Sequence, residues 1–199
     1  MRVAAALVFI PSFLMSACSL GTPYVDGYNE KNSSHSLPFV AELNASTATA
    51  LTTTPTESSA SMEGTFYVTS TSFRNVHGIA GQIDMEANFA AGTVSGKMTE
   101  FVEVQPTSTS TRLIGKDMFG EINYAGTINI GTGSGDDISA TGSGRMRTTN
   151  GTTYSTTTTM NGDFYRRPSS ALAAAGGITM TGNPGATAET GTGSYFVTE

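Results

Sequence analysis

The stretch GQIDMEANFAAGTVSGKM, from Gly81 to Met98, decides the fold class of this chain. Apolar and polar residues alternate along it, which is the period of a β-strand with one buried and one solvated face. The apolar face carries Ile83, Met85, Ala87, Phe89, Val94, Gly96 and Met98, and the polar face of its first half carries Gln82, Asp84, Glu86 and Asn88. At the break, Ala90-Ala91-Gly92, glycine can take the positive φ that a tight turn requires. The stretch therefore predicts a β-hairpin.

The same alternation recurs before and after this hairpin. It is found in GTFYVTS from Gly64, FGEINYAGTINI from Phe119, ISATGSGRMR from Ile138, STTTTMNGDFY from Ser155, GITMTG from Gly177 and GSYFVTE from Gly193. Inward glycines alternate with bulky residues in these segments, as in a tightly curved, closed sheet. The outward positions carry Glu121, Asn123, Arg145 and Arg147, which favour water over lipid. The sequence therefore predicts an all-β protein, a small soluble eight-stranded antiparallel β-barrel over residues 63–199, with no long amphipathic helix.

The first residues have the features of an export signal. Arg2 is followed by an apolar stretch, Val3 to Met15, which is too short to span a bilayer, so residues 1–17 are predicted to be a lipoprotein signal peptide. Met15-Ser16-Ala17-Cys18 resembles the bacterial lipobox, in which the cysteine is acylated and becomes the mature N-terminus. Cys18 is the single cysteine, so an internal disulfide is excluded. We expect lipid such as palmitate on Cys18 and, with Ser19 after it, attachment to the outer membrane.

Residues 18–62 show no sustained periodicity. The part NASTATALTTTPTESSAS, from Asn44 to Ser61, is rich in Ser, Thr and Ala and cannot bury enough apolar surface to offset its chain entropy. These residues are predicted to form a disordered tether between the lipid and the barrel, with short local order only near Leu37–Val40.

The stretch NGDFYRRPSSALAAAGG, from Asn161 to Gly177, interrupts the strand pattern. Pro168 is favourable at the first position of a helix, and the glycine pair at its end is typical of a helix stop. Between them, Ala171 to Ala175 are compatible with one or two helical turns. The stretch is therefore predicted to be a corner made of a strand, a short helix and a strand.

Several short motifs resemble a known family. Gly162-Asp163-Phe164-Tyr165, followed by Pro168, Ala171 and Gly176-Gly177, together with MEANFAAGTVSGKM, resembles the C-terminal barrel of transferrin-binding protein B and related bacterial surface lipoproteins. The resemblance implies a lipid-anchored barrel that binds a host or environmental protein or solute. The full receptor has two lobes, each with a handle domain, whereas one barrel is predicted here, so transferrin binding itself is not implied. Arg166-Arg167 replace a glycine of the family pattern.

The charged residues and histidines of the sequence do not form a pattern that is typical of a catalytic or metal-binding site. The net charge of −6 argues against a nucleic-acid partner. His35 and His77 lack the spacing of metal ligands. Asp136-Asp137 are interpreted as part of a solvated hairpin loop rather than a calcium site, and Arg166-Arg167 as a solvated corner rather than an anion site. The sequence thus predicts no enzyme, no catalytic residue, no metal and no cofactor, and it assigns no ligand-binding residue.

Three functional hypotheses remain open. The first is a surface-tethered binding module, a monomer that captures a protein or solute through the loops Phe101–Arg112 and Gly131–Asp137. The second is a structural or assembly lipoprotein of the outer membrane, and the third is an enzyme inhibitor on a lipocalin-like barrel. The family resemblance favours the first. The ligand stays open between iron, haem and a protein, and so does the membrane leaflet that the barrel faces.

Overall fold

The computed structural model describes residues 23–69, 78–104, 115–131, 135–183 and 188–199. Within these ranges the chain begins with a helical segment, which consists of α1 (Pro23–Lys31), a π-helical turn (Asn32–Ser36) and α2 (Leu37–Asn44). Nine strands follow in the same described ranges: β1 (Thr49–Ala50), β2 (Ser59–Thr69), β3 (Gly78–Asn88), β4 (Thr93–Val104), β5 (Gly115–Ile128), β6 (Ile138–Thr148), β7 (Thr153–Arg166), β8 (Leu172–Asn183) and β9 (Glu189–Thr198). The signal peptide and Cys18 lie outside the described residues.

Strands β2 to β9 form a closed up-and-down barrel. Each strand pairs antiparallel with the next, and β9 returns to pair with β2, with Thr65 opposite Phe196. The predicted all-β, eight-stranded antiparallel barrel is thereby confirmed. The short β1 adds to β7, with Thr49 opposite Arg166. We call the β2–β9 junction, where the first and last barrel strands meet, the seam.

The interior of the barrel is filled by side chains. The predicted hairpin is present, since the inward residues Met85 and Met98 are fully buried and Gly92 takes a φ of 66° in the turn. Phe89 and Phe164 pack edge to face with ring centroids 5.2 Å apart. Further fully buried inward residues are Phe66, Phe101, Met118, Ile122, Met146, Met160, Met180 and Tyr195. The outer positions predicted to be polar are exposed at Glu86, Asn88, Glu121, Asn123, Arg145 and Arg147.

The segment predicted to be a disordered tether is structured over its described residues. From Pro23 to Asn44 it is helical and lies on the outer wall of the barrel, and β2 begins at Ser59, so Ala60 and Met62 belong to the core. The apolar residues of the helical segment are too few to give a periodic pattern. Three of them are nevertheless buried on the outer wall: Val25 and Tyr28 contact Ala80, Val102 and Val104, and Phe39 contacts Ala173 and Ala175.

The predicted strand–helix–strand corner is a hairpin without a helix. β7 extends to Arg166, a turn follows in which the Ser170 N–H donates to the Arg167 carbonyl at 2.8 Å, and β8 begins at Leu172. The prediction is wrong because the alanines are buried on both faces of the strand. Ala174 faces the barrel core, whereas its neighbours on each side lie under Phe39. A strand that is buried on both faces loses the alternation that identifies it.

Among the described residues, no helix has the length and apolar character needed to cross a bilayer.

Candidate functional site

The two loops predicted to bind a ligand are attached to opposite ends of the barrel. Phe101 to Val104 belong to β4, where Phe101 is fully buried in the core, and residues 105–114 lie outside the described part of the chain. The second loop, Gly131–Asp137, connects β5 to β6 and is described except for residues 132–134. Successive connections of an up-and-down barrel lie at opposite ends, so the two loops are on opposite ends of this one.

Asp137 is not the solvated loop residue that the sequence suggests. It is 7% exposed, its Oδ2 accepts the Phe164 N–H at 3.2 Å, and its own N–H donates to Asp163 Oδ1 at 3.3 Å. Burial raises the pKa of the Asp137 carboxyl. These hydrogen bonds hold the β5–β6 connection against β7. Asp137 is buried because it lies between the two. In the described part of the chain no three His, Cys, Asp or Glu side chains are grouped as metal ligands would be.

Arg166 and Arg167 also differ from the predicted solvated corner. The Arg166 guanidinium lies 3.0 Å from Glu57 Oε1. Arg167 donates two hydrogen bonds of 2.7 Å to the two Glu42 oxygens, and its guanidinium lies 6.0 Å from the centre of the Phe39 ring. These hydrogen bonds hold the pKa of the Glu42 carboxyl below its usual value. The two arginines therefore bind the β7–β8 hairpin to the part of the chain that precedes β2, Arg167 through Glu42 of α2 and Arg166 through Glu57.

The histidine that the structure describes, His35, has a single hydrogen-bond contact, within its own helical segment. His35 lies in the π-helical turn, where its Nδ1 is 2.7 Å from the Ser34 hydroxyl. His77 lies outside the described residues.

The best candidate for a binding site is a groove between the helical segment and the seam, which we call the seam groove. It encloses about 350 Å³. Its lining residues are all uncharged: Tyr28, Asn32, Leu37 and Val40 on the helical segment, Thr65, Phe66 and Tyr67 on β2, and Gly193, Ser194 and Phe196 on β9. Among the described residues, three large hydrophobic side chains are exposed, and two of them, Leu37 (39%) and Tyr67 (36%), line this groove.

The shape of the helical segment at the groove follows from Pro38. A proline at this position has no N–H to donate to the Ser34 carbonyl, and its ring would collide with that carbonyl in a regular α-helix. The chain widens instead into a π-helical turn, in which the Leu37 N–H bonds to the Asn32 carbonyl, five residues earlier. In this turn Ser36 faces the barrel and is 1% exposed.

Ser36 joins the two strands of the seam. Its Oγ accepts the Thr65 N–H of β2 at 3.1 Å and donates to the Phe196 carbonyl of β9 at 3.1 Å. The Thr65 hydroxyl lies 2.7 Å from the same oxygen and 3.2 Å from Asn32 Oδ1. Burial raises the pKa of the nearby Tyr28 to about 12, so its phenol stays neutral at physiological pH. The groove thus has a rigid, desolvated and uncharged floor.

A second depression on the outer wall, of about 550 Å³, is polar. Its lining residues are Ser61, Glu63, Asp84, Glu86, Ser95, Gly96, Lys97, Asn123 and Tyr124. Two of its three carboxylates have a lysine partner, because Glu63 pairs with Lys31 and Asp84 lies 3.7 Å from Lys97. The third, Glu86, accepts a hydrogen bond from the Ser61 hydroxyl. Polar groups that already have partners within the chain offer less to a ligand than the apolar seam groove.

Most of the groove was not predicted from the sequence. The local order expected near Leu37–Val40 supplies one wall, and the apolar-proline-apolar pattern there is the signal for it. No sequence signal identified Ser36 or Tyr67 as part of a site. Comparison with protein families, curated proteins and solved structures finds no match for this chain. The resemblance to transferrin-binding protein B and related lipoproteins therefore stays a prediction.

Proposed function

We propose that this chain is a bacterial surface lipoprotein, anchored to the outer membrane through lipid on Cys18, whose barrel binds a protein partner in the seam groove. One observation carries the binding part of the proposal: the exposed apolar side chains Leu37 and Tyr67 line the same uncharged groove on the outer wall. Exposed apolar patches on a soluble surface are typical of interaction sites.

The fold favours the outer wall as the binding surface. The barrel interior is occupied by core side chains. Each of the eight barrel strands pairs with two neighbouring strands, and the edge strand of the described sheet, β1, is two residues long, so the sheet offers a partner little edge to which a strand could be added. A partner would therefore bind through its side chains, and the seam groove is an apolar depression that can accept them. It replaces the loops as the proposed surface, because the two loops lie at opposite ends of the barrel.

The size of the groove and the net charge of the chain indicate what kind of partner would fit. Its volume, about 350 Å³, is at the small end of the range for ligand pockets and fits one or two large apolar side chains. The chain carries a net charge of −6, which favours a partner with basic residues around its apolar contact. We therefore propose a protein that inserts an apolar side chain flanked by positive charge.

Photo-cross-linking tests this proposal directly. A photoreactive phenylalanine is placed at Leu37 or Tyr67 in the full lipidated chain and, as a matched control, at the exposed Phe119. The same partner should be captured at the first two positions and not at the third. The purified partner should then bind Leu37→Glu about thirtyfold more weakly than the unsubstituted protein, as expected for loss of a central anchor.

Two other results would decide against the proposal. If binding of the purified partner is unchanged in Leu37→Glu and Tyr67→Glu, the groove is not the site. If no partner is cross-linked while the chain remains stably associated with the envelope, the structural lipoprotein is the better explanation. The anchor is tested separately: mass spectrometry should find acyl mass on Cys18, and Cys18→Ser should leave the membrane fraction.

A further inference from the structure

The start of α1 is fixed at a defined place on the barrel. Asp117 of β5 is 8% exposed, and its Oδ1 accepts the N–H groups of Tyr24 at 3.2 Å and Val25 at 3.3 Å. A carboxylate in this position satisfies N–H groups that the first turn of a helix leaves without partners. The chain therefore enters the described structure at β5.

The expected lipid is close to this place along the chain. Cys18 precedes Tyr24 by six residues, and a fully extended chain spans at most about 3.6 Å per residue, so the two are within about 22 Å of each other. If the acyl chains of Cys18 are in a bilayer, this part of the barrel is held near the bilayer surface. The tether predicted over residues 18–62 would have allowed a far greater distance.

The surface at the start of α1 has the composition of a membrane-interface contact. Tyr24 packs edge to face on Phe119, with ring centroids 5.8 Å apart, and Phe119 is 50% exposed. Arg147 of β6 lies directly opposite Phe119, and the exposed Arg145 lies two residues further, opposite Glu121. Aromatic side chains favour the headgroup region of a bilayer, and arginines are attracted to anionic headgroups.

We infer that Tyr24, Phe119, Arg145 and Arg147 form a membrane-facing patch that lies on the anionic lipid surface to which Cys18 anchors the chain. The inference rests on the lipid attachment in the proposed function. It also gives the barrel an orientation. The patch is on β5 and β6, the seam is between β2 and β9, and two strands separate them on either side of the barrel. The wall of the seam groove that β2 and β9 form is therefore on the opposite side of the barrel and faces away from the membrane.

A tryptophan probe tests the patch, because the chain contains no Trp. The lipidated full chain is bound to vesicles of phosphatidylglycerol and phosphatidylcholine, with either Phe119→Trp or, as the matched control, Tyr67→Trp on the opposite wall. Emission from the Phe119→Trp protein should shift to shorter wavelength on the vesicles and be quenched by brominated lipid. Emission from the control should do neither.

Two further measurements complete the test: one replaces the two arginines, and the other uses the unsubstituted chain. Adding Arg145→Gln and Arg147→Gln to Phe119→Trp should lower quenching on anionic vesicles to the level on pure phosphatidylcholine. In the unsubstituted chain, paramagnetic lipid should broaden the amide NMR signals of β5 and β6 more than those of β2 and β9. This measurement tests the patch even if the Phe119→Trp variant does not fold. If vesicle-bound protein shows no difference between the two walls, the patch is overturned while the anchor stands. If the chain does not bind vesicles, the anchor is overturned and the patch with it.

Discussion

At the scale of single residues, the seam depends on the Ser36 hydroxyl, which bridges the Thr65 N–H and the Phe196 carbonyl. Ser36→Ala removes this bridge and leaves buried polar groups without their partner, so the free energy of unfolding should fall by about 1–3 kcal/mol. Urea unfolding measures the change. The matched control is Ser34→Ala, whose exposed hydroxyl bonds only within the helical segment, and it should cost less than about 0.5 kcal/mol. Equal losses in both variants would contradict a bridging role.

Glu42 makes the attachment of the helical segment dependent on pH. Hydrogen bonds from Arg167 lower the pKa of this carboxyl in the folded protein. A carboxyl with a lowered folded-state pKa stabilises the protein above its unfolded pKa, about 4.3, and the stabilisation is lost as the pH falls through the folded-state value. The stability difference between the unsubstituted protein and Glu42→Gln should therefore be largest at pH 7 and shrink towards pH 3. Thermal denaturation at both pH values measures it, and a difference that does not change with pH would contradict this role.

Single-residue patterns predicted the core better than the contacts across the seam. Phe89 was expected inside the barrel from alternation, and it packs there on Phe164. Ser36 could not be recognised, because alternation assigns a side chain to a face of a strand and does not identify its partner. The carbonyl that Ser36 bonds is 160 positions away in the sequence.

At the scale of elements, the alanine run of β8 shows where the periodic pattern fails. Ala173 is fully buried under Phe39 on the outer wall, so the small side chain is required for α2 to lie close to the sheet. Ala173→Leu should overpack this contact, lower the free energy of unfolding by about 1–3 kcal/mol and increase proteolysis after α2. Ala125→Leu, at an exposed outer position of β5, is the matched control and should be nearly neutral. The same effect in both variants would mean that α2 does not pack tightly.

At the scale of the whole molecule, the barrel was predictable and the segment wrapped around it was not. The strands can be recognised in the sequence because apolar and polar residues alternate along them, and they alternate because one face of each strand is exposed to solvent along most of its length. The helical segment is held by isolated contacts, such as Phe39 on β8 and Lys31 with Glu63, which no local pattern reveals. The candidate site was missed for the same reason, because the seam groove exists only where this segment crosses β2 and β9.

The helical segment and the early start of β2 also mean that the smallest part of the chain expected to fold stably is longer than the predicted barrel. The barrel predicted over residues 63–199 would lack the first half of β2, including the core residues Ala60 and Met62. Removing that half of the strand would leave the end of β3, from Asp84 to Asn88, with an unpaired edge, which favours aggregation. We expect residues 23–199 to unfold cooperatively, 59–199 to fold with lower stability and without the seam groove, and 64–199 to give a poorly dispersed spectrum. Backbone NMR and thermal unfolding of the three chains distinguish these outcomes. If 64–199 were as stable as 23–199, neither the first half of β2 nor the helical segment would contribute to the fold, and a binding site between that segment and the seam would lose its basis.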